Sequence, residues 1–469
     1  MKTIVFLMSI YSVQAFAVSS FPPHIKNLLK WELESNIRND PEKRTHRLFS
    51  LQHFEIPLQT LEQFDYRPLS KKALESFVMI KRGRKYVRWI INPEDKKYAD
   101  QLENVLRRLN CDTRRYSYYV GYLTASRSLM IQDPDLGHIF SVKVSTDHTG
   151  GLWQNKGVNR VQVQKAVGVT SYLEGILKKI SSLPHAIILP EPLGWVFHHQ
   201  DVEQGMVIRS YDRLDPDYQY PPGFSVIHEQ TGVDLAQSHN PHQYWKKHYA
   251  GALGTAMAEF IASTGLSYKS AHSQQFLVEL DQHSKPTGRI VMRDFNDSVA
   301  LKPLLNQSDS GQTLLDMWLR KYQENRLYVR FGIFHSSKEK RFLVKNIYKP
   351  SWTVSSDSGE FTTKSSSSIK KGRVAWKNHF VQSFEERFSF LTQIDIQELT
   401  KSLKTMGGVS THAVRRYNIT SSILSRKPSI LWRRHASVMQ CLQSRTRSLS
   451  YANMNCDIKI NHFLGRLYP

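Results

Sequence analysis

Cysteine is scarce in this sequence, and several common catalytic motifs are missing from it. Only three cysteines occur in 469 residues, which excludes a disulfide-built scaffold. Cys441 and Cys456 are able to pair in an oxidising compartment, which would leave Cys111 free. The sequence has no Cys-x-x-Cys pair, P-loop, dinucleotide glycine motif, Gly-x-Ser-x-Gly elbow or His-Glu-x-x-His helix. Enzyme classes defined by those signatures are therefore excluded.

Apolar runs long enough to span a membrane are also missing. The run over residues 4–13 is shorter than the roughly 20 residues that a transmembrane helix needs. Met1-Lys2 gives it a positive start, and Ala15-Phe16-Ala17 follows it with the small-x-small pattern of a cleavage site. We therefore expect a secretory signal peptide over residues 1–17, a mature chain beginning near Val18, and export to the periplasm or the medium.

Acidic residues are outnumbered by basic ones. The chain has 64 Lys and Arg against 41 Asp and Glu, a formal net charge of +23. A field of that sign attracts nucleotides, nucleic acids, acidic lipids and other anionic polymers, but it also suits a merely solubilising surface. Hydrophobic residues make up 40 % of the chain, which is typical of a globular protein, and its length suggests about three domains.

Hydrophobic periodicity and turn residues divide the mature chain into three parts. Residues 18–115 read as mixed and mostly helical, residues 116–235 as rich in β-strands, and residues 236–469 as a further part with a basic, helical C-terminal region. Ser and Thr residues in 351–372 indicate a surface loop or linker. Helices are predicted over 98–109 and from Asn240 to Gly265. Strands are predicted at 128–131, 139–144, 186–189, 195–198, 206–209, 224–228, 276–280 and 289–293.

Basic residues occur next to several of these strands. Arg127-Ser128 precedes one strand, Lys143 lies on the next, and Arg293 ends a later hairpin. Lysine and arginine side chains held on strands are suited to phosphate oxygens, because charge-assisted hydrogen bonds stabilise by about 1.5–3 kcal/mol each. These residues are candidates for binding the phosphates of ATP.

Other polar residues complete the group. Asp294 follows Arg293 directly, and a carboxylate at a strand end is a suitable ligand for Mg²⁺. His272 and Gln274 open the first strand of the same hairpin, where their side chains are suited to orienting a nucleotide. The combined set predicts an ATP and Mg²⁺ site.

The order of these segments resembles the aerobactin-type siderophore synthetases, the IucA/IucC family, which work independently of non-ribosomal peptide synthetases. That family has a Ser-x-Arg-Thr segment, a lysine on the following strand, a Glu-Ala-His-x-Gln-Asn motif and an Arg-Asp pair. The resemblance covers roughly residues 120–300. The counterparts here are Arg127-Ser128, Lys143, Ala271-His272-Ser273-Gln274-Gln275 and Arg293-Asp294, with Pro190-Glu191 and Arg209 between them.

The resemblance implies a fold and an activity. The fold would be α+β and built of several parts, with a fingers-like subdomain over 116–235, a palm-like subdomain from 236 and a reduced N-terminal region. The activity would be ATP-dependent activation of a carboxylate, typically of citrate or another polycarboxylate, as an acyl-adenylate that an amine or alcohol attacks. Asp294 would hold Mg²⁺, and His272 and Arg293 would be catalytic. The residues implied in nucleotide binding are Arg127, Ser128, Lys143, His272, Gln274, Arg293 and Asp294.

The sequence departs from the family pattern at several positions. Ala125 stands where the family has serine, and Ser270 and Gln275 replace its glutamate and asparagine. The anion-binding arginine that follows the lysine strand in the family is missing, so Lys156 or Arg160 would have to replace it. Nucleotide binding is therefore better supported than any particular acid or acceptor.

Two other classes of function stay open at this point. A kinase-like phosphotransferase shares the strand lysine and the hairpin-end aspartate, but a kinase catalytic loop has aspartate two residues after its histidine, where this chain has Gln274. A non-catalytic basic protein that contacts anionic polymers is the other alternative. Export also conflicts with a supply of ATP. A misread N-terminus, lost catalysis, or an effector that meets ATP inside another cell would each resolve that conflict.

Overall fold

The structure is a computed structural model that describes residues 21–35, 48–148, 155–180, 183–305, 319–334, 365–401 and 414–417. Within these residues the chain has the predicted α+β class. The expected signal peptide, the Cys441 and Cys456 pair and most of the basic C-terminal region lie outside the described residues. Cys111 is a partly exposed free thiol.

Strands and helices alternate irregularly along the chain. The strands are β1 Leu48–Pro57, β2 Leu61–Asp65, β3 Val78–Lys81, β4 Arg84–Ile90, β5 Tyr116–Leu123, β6 Ser128–Gln132, β7 Ile139–Val144, β8 Ala186–Ile188, β9 Leu193–His199, β10 Val202–Ser210, β11 Leu266–Tyr268, β12 Phe276–Leu280, β13 Pro286–Met292, β14 Ser298–Leu301, β15 Gln323–Glu324, β16 Leu327–Arg330 and β17 Val414–Tyr417. The helices are α1 Pro23–Glu34, α2 Arg67–Phe77, α3 Lys97–Arg108, α4 Arg160–Ile180, α5 Gly223–Val226, α6 Glu229–Ala236, α7 Pro241–Trp245, α8 Ala252–Thr264, α9 Lys302–Leu305, α10 Ser365–Thr392 and α11 Ile396–Lys401.

A nine-stranded antiparallel sheet forms the first half of the molecule, in the order β2-β9-β10-β7-β6-β5-β1-β4-β3. Side chains alternate across its faces. On β7, Phe140, Val142 and Val144 join a hydrophobic core, so Ser141 and Lys143 must point to the opposite face. That opposite face forms one wall of the polar cleft described below.

Residues 18–115, expected to be mostly helical, contribute β1 to β4 to this sheet as well as three helices. The helix predicted over 98–109 is confirmed as α3. One sheet therefore contains strands from both sides of the predicted boundary at residues 115 and 116, and the domain limits stay predictions.

Two of the predicted local structures are wrong. Residues 224–228 were expected to form a strand, but α5 and a turn occupy them, because Pro222 begins a helical turn that buries Phe224 and Val226. The proposed linker over 351–372 is wrong for 365–372, which belong to α10 beginning at Ser365, and its remainder lies outside the described residues. Farther along α10, large aromatic side chains pack into the core, and this tertiary packing outweighs the weak helix propensity of a serine-rich stretch.

Most of the other predicted elements are confirmed. Strands β6, β7, β9 and β10 lie where alternation placed them, and β12 and β13 form the expected antiparallel hairpin. The predicted helix after Asn240 is divided by a π-helical turn, Lys246–Gly251, before α8. It ends as expected at Gly265, whose φ of +66° is accessible to glycine at little cost.

The second half of the molecule packs around α8. Strand β13 lies between β12 and β8, pairing with β8 in parallel, and α10 lies across α8. The two helices approach so closely at Gly254 that a Cβ there would lie 2.3 Å from the carbonyl oxygen of Phe380. Among the described residues, no helix combines the length and the apolarity that crossing a membrane requires.

Candidate functional site

A polar cleft lies where the nine-stranded sheet meets the end of the β12–β13 hairpin. Its cavity volume is about 160 Å³, and it is open to solvent on one side. All seven residues of the sequence-predicted site line it, so the fold brings together side chains from three separate parts of the chain. Its lining residues are Glu32, Thr124, Ala125, Ser126, Arg127, Ser128, Ser141, Lys143, Lys156, Arg209, His272, Gln274, Gln275, Arg293 and Asp294.

Lys143 and Asp294 form the central contact of the cleft. Lys143 lies on β7 opposite Ser128 of β6, and it is 8 % exposed. Its Nζ donates a hydrogen bond to Asp294 Oδ1 at 2.6 Å. Asp294 adopts a left-handed conformation with φ +68° directly after β13 and Arg293. The buried ring of Phe295 packs against Phe260 and Tyr268 and fixes that turn.

Arg209 joins this pair from the neighbouring strand β10. Its Nη2 donates to Glu191 Oε1 at 2.6 Å and lies 3.6 Å from Asp294 Oδ1. Burial would lower the pKa of Arg209, but the carboxylates of Glu191 and Asp294 outweigh burial and raise it. The Nε of Arg209 is buried and has no hydrogen-bond partner among the described residues. A buried donor without a partner is costly, so this atom is well suited to an anionic ligand.

The charge states of the cleft follow from burial and proximity. Burial favours the neutral form of Lys143 and lowers its pKa, with Asp294 acting in the opposite direction. Burial alone would raise the pKa of Asp294, but Lys143 and Arg209 outweigh it and hold that pKa well below its usual range. Asp294 is therefore ionised at neutral pH.

Arg127 and Lys156 lie at the mouth of the β6–β7 hairpin. Arg127 Nη1 donates to the carbonyl oxygen of Gly157 at 2.8 Å, and burial lowers its pKa. Lys156 Nζ is 3.5 Å from Ser126 Oγ and lines the cleft. Arg160 lies elsewhere, in an ion pair with Glu62 at 2.5 Å. Of the two candidate replacements for the missing family arginine, the structure thus places only Lys156 in the cleft.

His272 and Gln274 lie on a short segment before β12. A capping box stabilises the segment: the backbone N–H of His272 donates to Gln275 Oε1 at 3.0 Å, and the backbone N–H of Gln275 in turn donates to the His272 side chain. Gln275, which replaces the family asparagine, is therefore a buried structural residue. Ser270 donates its backbone N–H to Asp297 and does not line the cleft.

Sequence reasoning missed Glu32 entirely. This residue lies on α1 and is 1 % exposed. Its carboxylate accepts a hydrogen bond from Arg293 Nη2. Glu32 and Arg293 are 261 positions apart, and no local pattern in α1 indicates a long-range partner. In the sequence, the one available signal was an acidic residue placed between two large apolar residues, Trp31 and Leu33.

The residues present fit a nucleotide better than a protein-bound metal centre. Five basic side chains line the cleft, against the carboxylates of Asp294 and Glu32. No group of three or more His, Cys, Asp or Glu side chains with metal-binding geometry occurs in the described parts of the chain. Mg²⁺ in nucleotide sites is usually held by one or two carboxylates and the phosphates, so Asp294 alone fits that role.

Comparison with known proteins finds similarity in fold alone. No protein-family model matches the chain, and no curated protein matches its sequence. ATP-bound aerobactin synthetase IucA from Klebsiella pneumoniae is 11 % identical, with a TM-score of 0.48, over 74 % of this chain and 65 % of that one. Aerobactin synthetase IucC from the same species is 13 % identical, with a TM-score of 0.46, over 76 % and 64 %.

A third similar structure comes from another bacterium. The petrobactin biosynthesis protein AsbB from Bacillus anthracis is 12 % identical, with a TM-score of 0.42, over 81 % of this chain and 70 % of that one. The chain spans somewhat less than two thirds of the length of the two aerobactin synthetases. The predicted resemblance to siderophore synthetases is confirmed as a distant one.

Proposed function

We propose that this chain binds Mg-ATP in the polar cleft and uses it to activate a carboxylate, as an acid–amine or acid–alcohol ligase. One observation carries the proposal: Arg127, Lys143 and the Arg293-Asp294 pair, far apart in sequence, converge on one cleft. Their order along the chain is also that of the siderophore-synthetase motifs. The roles assigned to individual residues are part of the proposal.

The chemistry suits a cleft rich in cations. A carboxylate oxygen of the acid attacks the α-phosphorus of ATP, the bond to the bridging oxygen breaks, and pyrophosphate leaves with the electron pair. An amine or alcohol then attacks the acyl carbon, the acyl C–O bond breaks, AMP leaves with its electron pair, and the proton of the nucleophile is released to solvent. A carboxylate is already ionised at neutral pH, so the first step needs no general base. Citrate or another polycarboxylate is the proposed acid.

The protein contributes charge and position to these steps. Lys143, Arg127 and Arg209 stabilise the negative charge that accumulates on the phosphates as pyrophosphate leaves. His272 and Gln274 orient the nucleotide or the adenylate. Asp294 would hold Mg²⁺, which neutralises phosphate charge when bound.

Thermal unfolding with and without Mg-ATP tests the nucleotide site. A ligand at about 100 times its dissociation constant stabilises the folded state by roughly 2.7 kcal/mol. We expect this stabilisation in the wild type and in the control Arg160→Gln, which changes a cation outside the cleft. Asp294→Ala should remove the part that depends on Mg²⁺. If Mg-ATP does not change the unfolding temperature of the wild type, the proposal is refuted and a polyanion-binding protein is favoured.

Export is a separate proposal, supported only by the pattern of residues 1–17. The intact mass of protein purified from its native source should correspond to a chain that begins at Val18. Full-length protein in the cytoplasm, with Met1 or Lys2 retained, would contradict export and remove the conflict with the ATP supply.

A further inference from the structure

Helix α1 forms part of the wall of the cleft, although it lies far from the other cleft residues in sequence. Proline residues favour its start, and Ile25, Leu28, Leu29 and Leu33 are buried on one side. These side chains share a hydrophobic cluster with residues of β12 and β13, including Leu277 and Val291. The helix therefore belongs to the same hydrophobic cluster as the hairpin that carries Arg293 and Asp294.

In this position of α1, the Glu32 side chain contacts Arg293. The side chains of the two residues are 2 % and 7 % exposed, and Arg293 Nη2 donates to Glu32 Oε1. The Nε of Arg293 donates to the carbonyl oxygen of Gln274 at 2.9 Å. Two edges of the guanidinium are thus bonded within the protein. Burial raises the pKa of Glu32, while the charge of Arg293 opposes that rise.

We propose that Glu32 is a built-in counter-ion in the nucleotide cleft, which reduces the affinity of Arg293 for phosphate and so limits how much negative charge the cleft holds. This inference rests on the proposed binding of Mg-ATP. A phosphate that approaches Arg293 meets the negative charge of Glu32 and competes with it for the Nη2 donor. Arg127, Lys143, Lys156 and Arg209 remain to bind the polyphosphate, and weaker binding at Arg293 favours release of pyrophosphate.

The structure also explains why a carboxylate is tolerated beside a phosphate site. Removing one partner of a buried ion pair leaves an uncompensated charge, so Arg293 needs an acidic partner whenever the cleft is empty. Glu32 supplies that partner from α1. A free guanidinium would instead bind any available anion.

The Glu32→Gln variant tests the negative charge of Glu32 apart from its hydrogen bond with Arg293. Glutamine keeps an oxygen that accepts from Arg293, so the arginine stays in place while the negative charge is lost. At an effective dielectric constant of about 20, a unit charge roughly 12 Å from a bound phosphate changes anion affinity by about tenfold, and a closer charge changes it by more. Calorimetry should therefore show Mg-ATP binding at least about tenfold tighter. Without Mg²⁺, the gain in affinity should be largest for ATP, smaller for ADP and smallest for AMP, because these ligands carry about four, three and two negative charges.

Glu34→Gln is the matched control. Glu34 lies on the same helix and is exposed, so this variant removes the same charge from the same helix outside the cleft. Its affinities for the three nucleotides should equal those of the wild type. If Glu32→Gln does not fold, Glu32→Asp serves instead. It withdraws the carboxylate by one methylene and should tighten Mg-ATP binding about threefold.

The outcomes distinguish this inference from the function on which it rests. A wild type that binds Mg-ATP, with a Glu32→Gln variant that binds it equally or more weakly, overturns the counter-ion role and leaves the nucleotide site intact. An equal gain for all three nucleotides also overturns it, because a counter-ion effect must grow with ligand charge. A wild type that binds no Mg-ATP overturns both.

Discussion

Asp294 should stabilise the folded protein strongly even without a ligand, because it compensates two buried cations. Lys143 and Arg209 are 8 % and 7 % exposed, and their nitrogens lie 2.6 and 3.6 Å from Asp294 Oδ1. Loss of one partner from a buried ion pair typically costs about 3–5 kcal/mol. Asparagine keeps an acceptor for Lys143 and tolerates the φ of +68°, so Asp294→Asn removes the charge without adding backbone strain. Because the Asp294 side chain is itself 28 % exposed and Arg209 keeps its hydrogen bond to Glu191, we expect the lower end of that range, about 3 kcal/mol.

Urea unfolding at pH 7 and low ionic strength measures this loss. The control is Asp212→Asn, which breaks the exposed ion pair with Lys72, whose side chain is 53 % exposed against 50 % for Asp212. Exposed pairs contribute about 0–1 kcal/mol. If the free energy of unfolding falls by less than about 1 kcal/mol in Asp294→Asn, as in the control, the buried cations are compensated in another way and the electrostatic account of the cleft is wrong.

Three further predictions concern pH, packing and binding. Burial, with Arg88 nearby, lowers the pKa of His53 to about 4, so the unfolded state binds more protons below pH 6.5. Stability should fall by about 3 kcal/mol between pH 6.5 and 4, and His53→Leu should remove that part of the acid sensitivity in urea titrations. Gly254→Ala should lower the melting temperature, because the added Cβ would clash with α10. Gly175→Ala lies in open space on α4 and should raise the free energy of unfolding by about 0.5–1 kcal/mol. Equal effects of the two substitutions would contradict the close packing at Gly254. Lys143→Met should weaken Mg-ATP binding in calorimetry by about tenfold or more, and an unchanged dissociation constant would remove Lys143 from the phosphate site.

Local sequence patterns were sufficient to predict much of the site. The strand pattern placed Lys143 on β7, and the hairpin pattern placed Arg293 and Asp294 at a strand end. The motif order then indicated that these residues meet. Because each prediction depended on neighbours within a few residues, the geometry of one strand or one hairpin was enough.

The features that sequence reasoning missed depend on distant contacts. Glu32 reaches the cleft because α1 joins a hydrophobic cluster with residues of distant strands such as β12 and β13, and nothing in residues 23–34 specifies those partners. The helical turn at Phe224 is likewise set by the burial of Phe224 and Val226. Local propensity is weak enough for such packing to override it.

The most direct test of the central claim is the identity of the nucleotide product. Purified protein would be incubated with Mg-ATP, citrate or another polycarboxylate, and hydroxylamine as a trapping nucleophile, and the nucleotides would be separated chromatographically. Activation of a carboxylate at the α-phosphorus predicts AMP and pyrophosphate, in amounts equal to the hydroxamate formed and lost in Lys143→Met. ADP accompanied by labelled phosphoprotein, lost in Asp294→Asn, would contradict the ligase and identify a phosphotransferase.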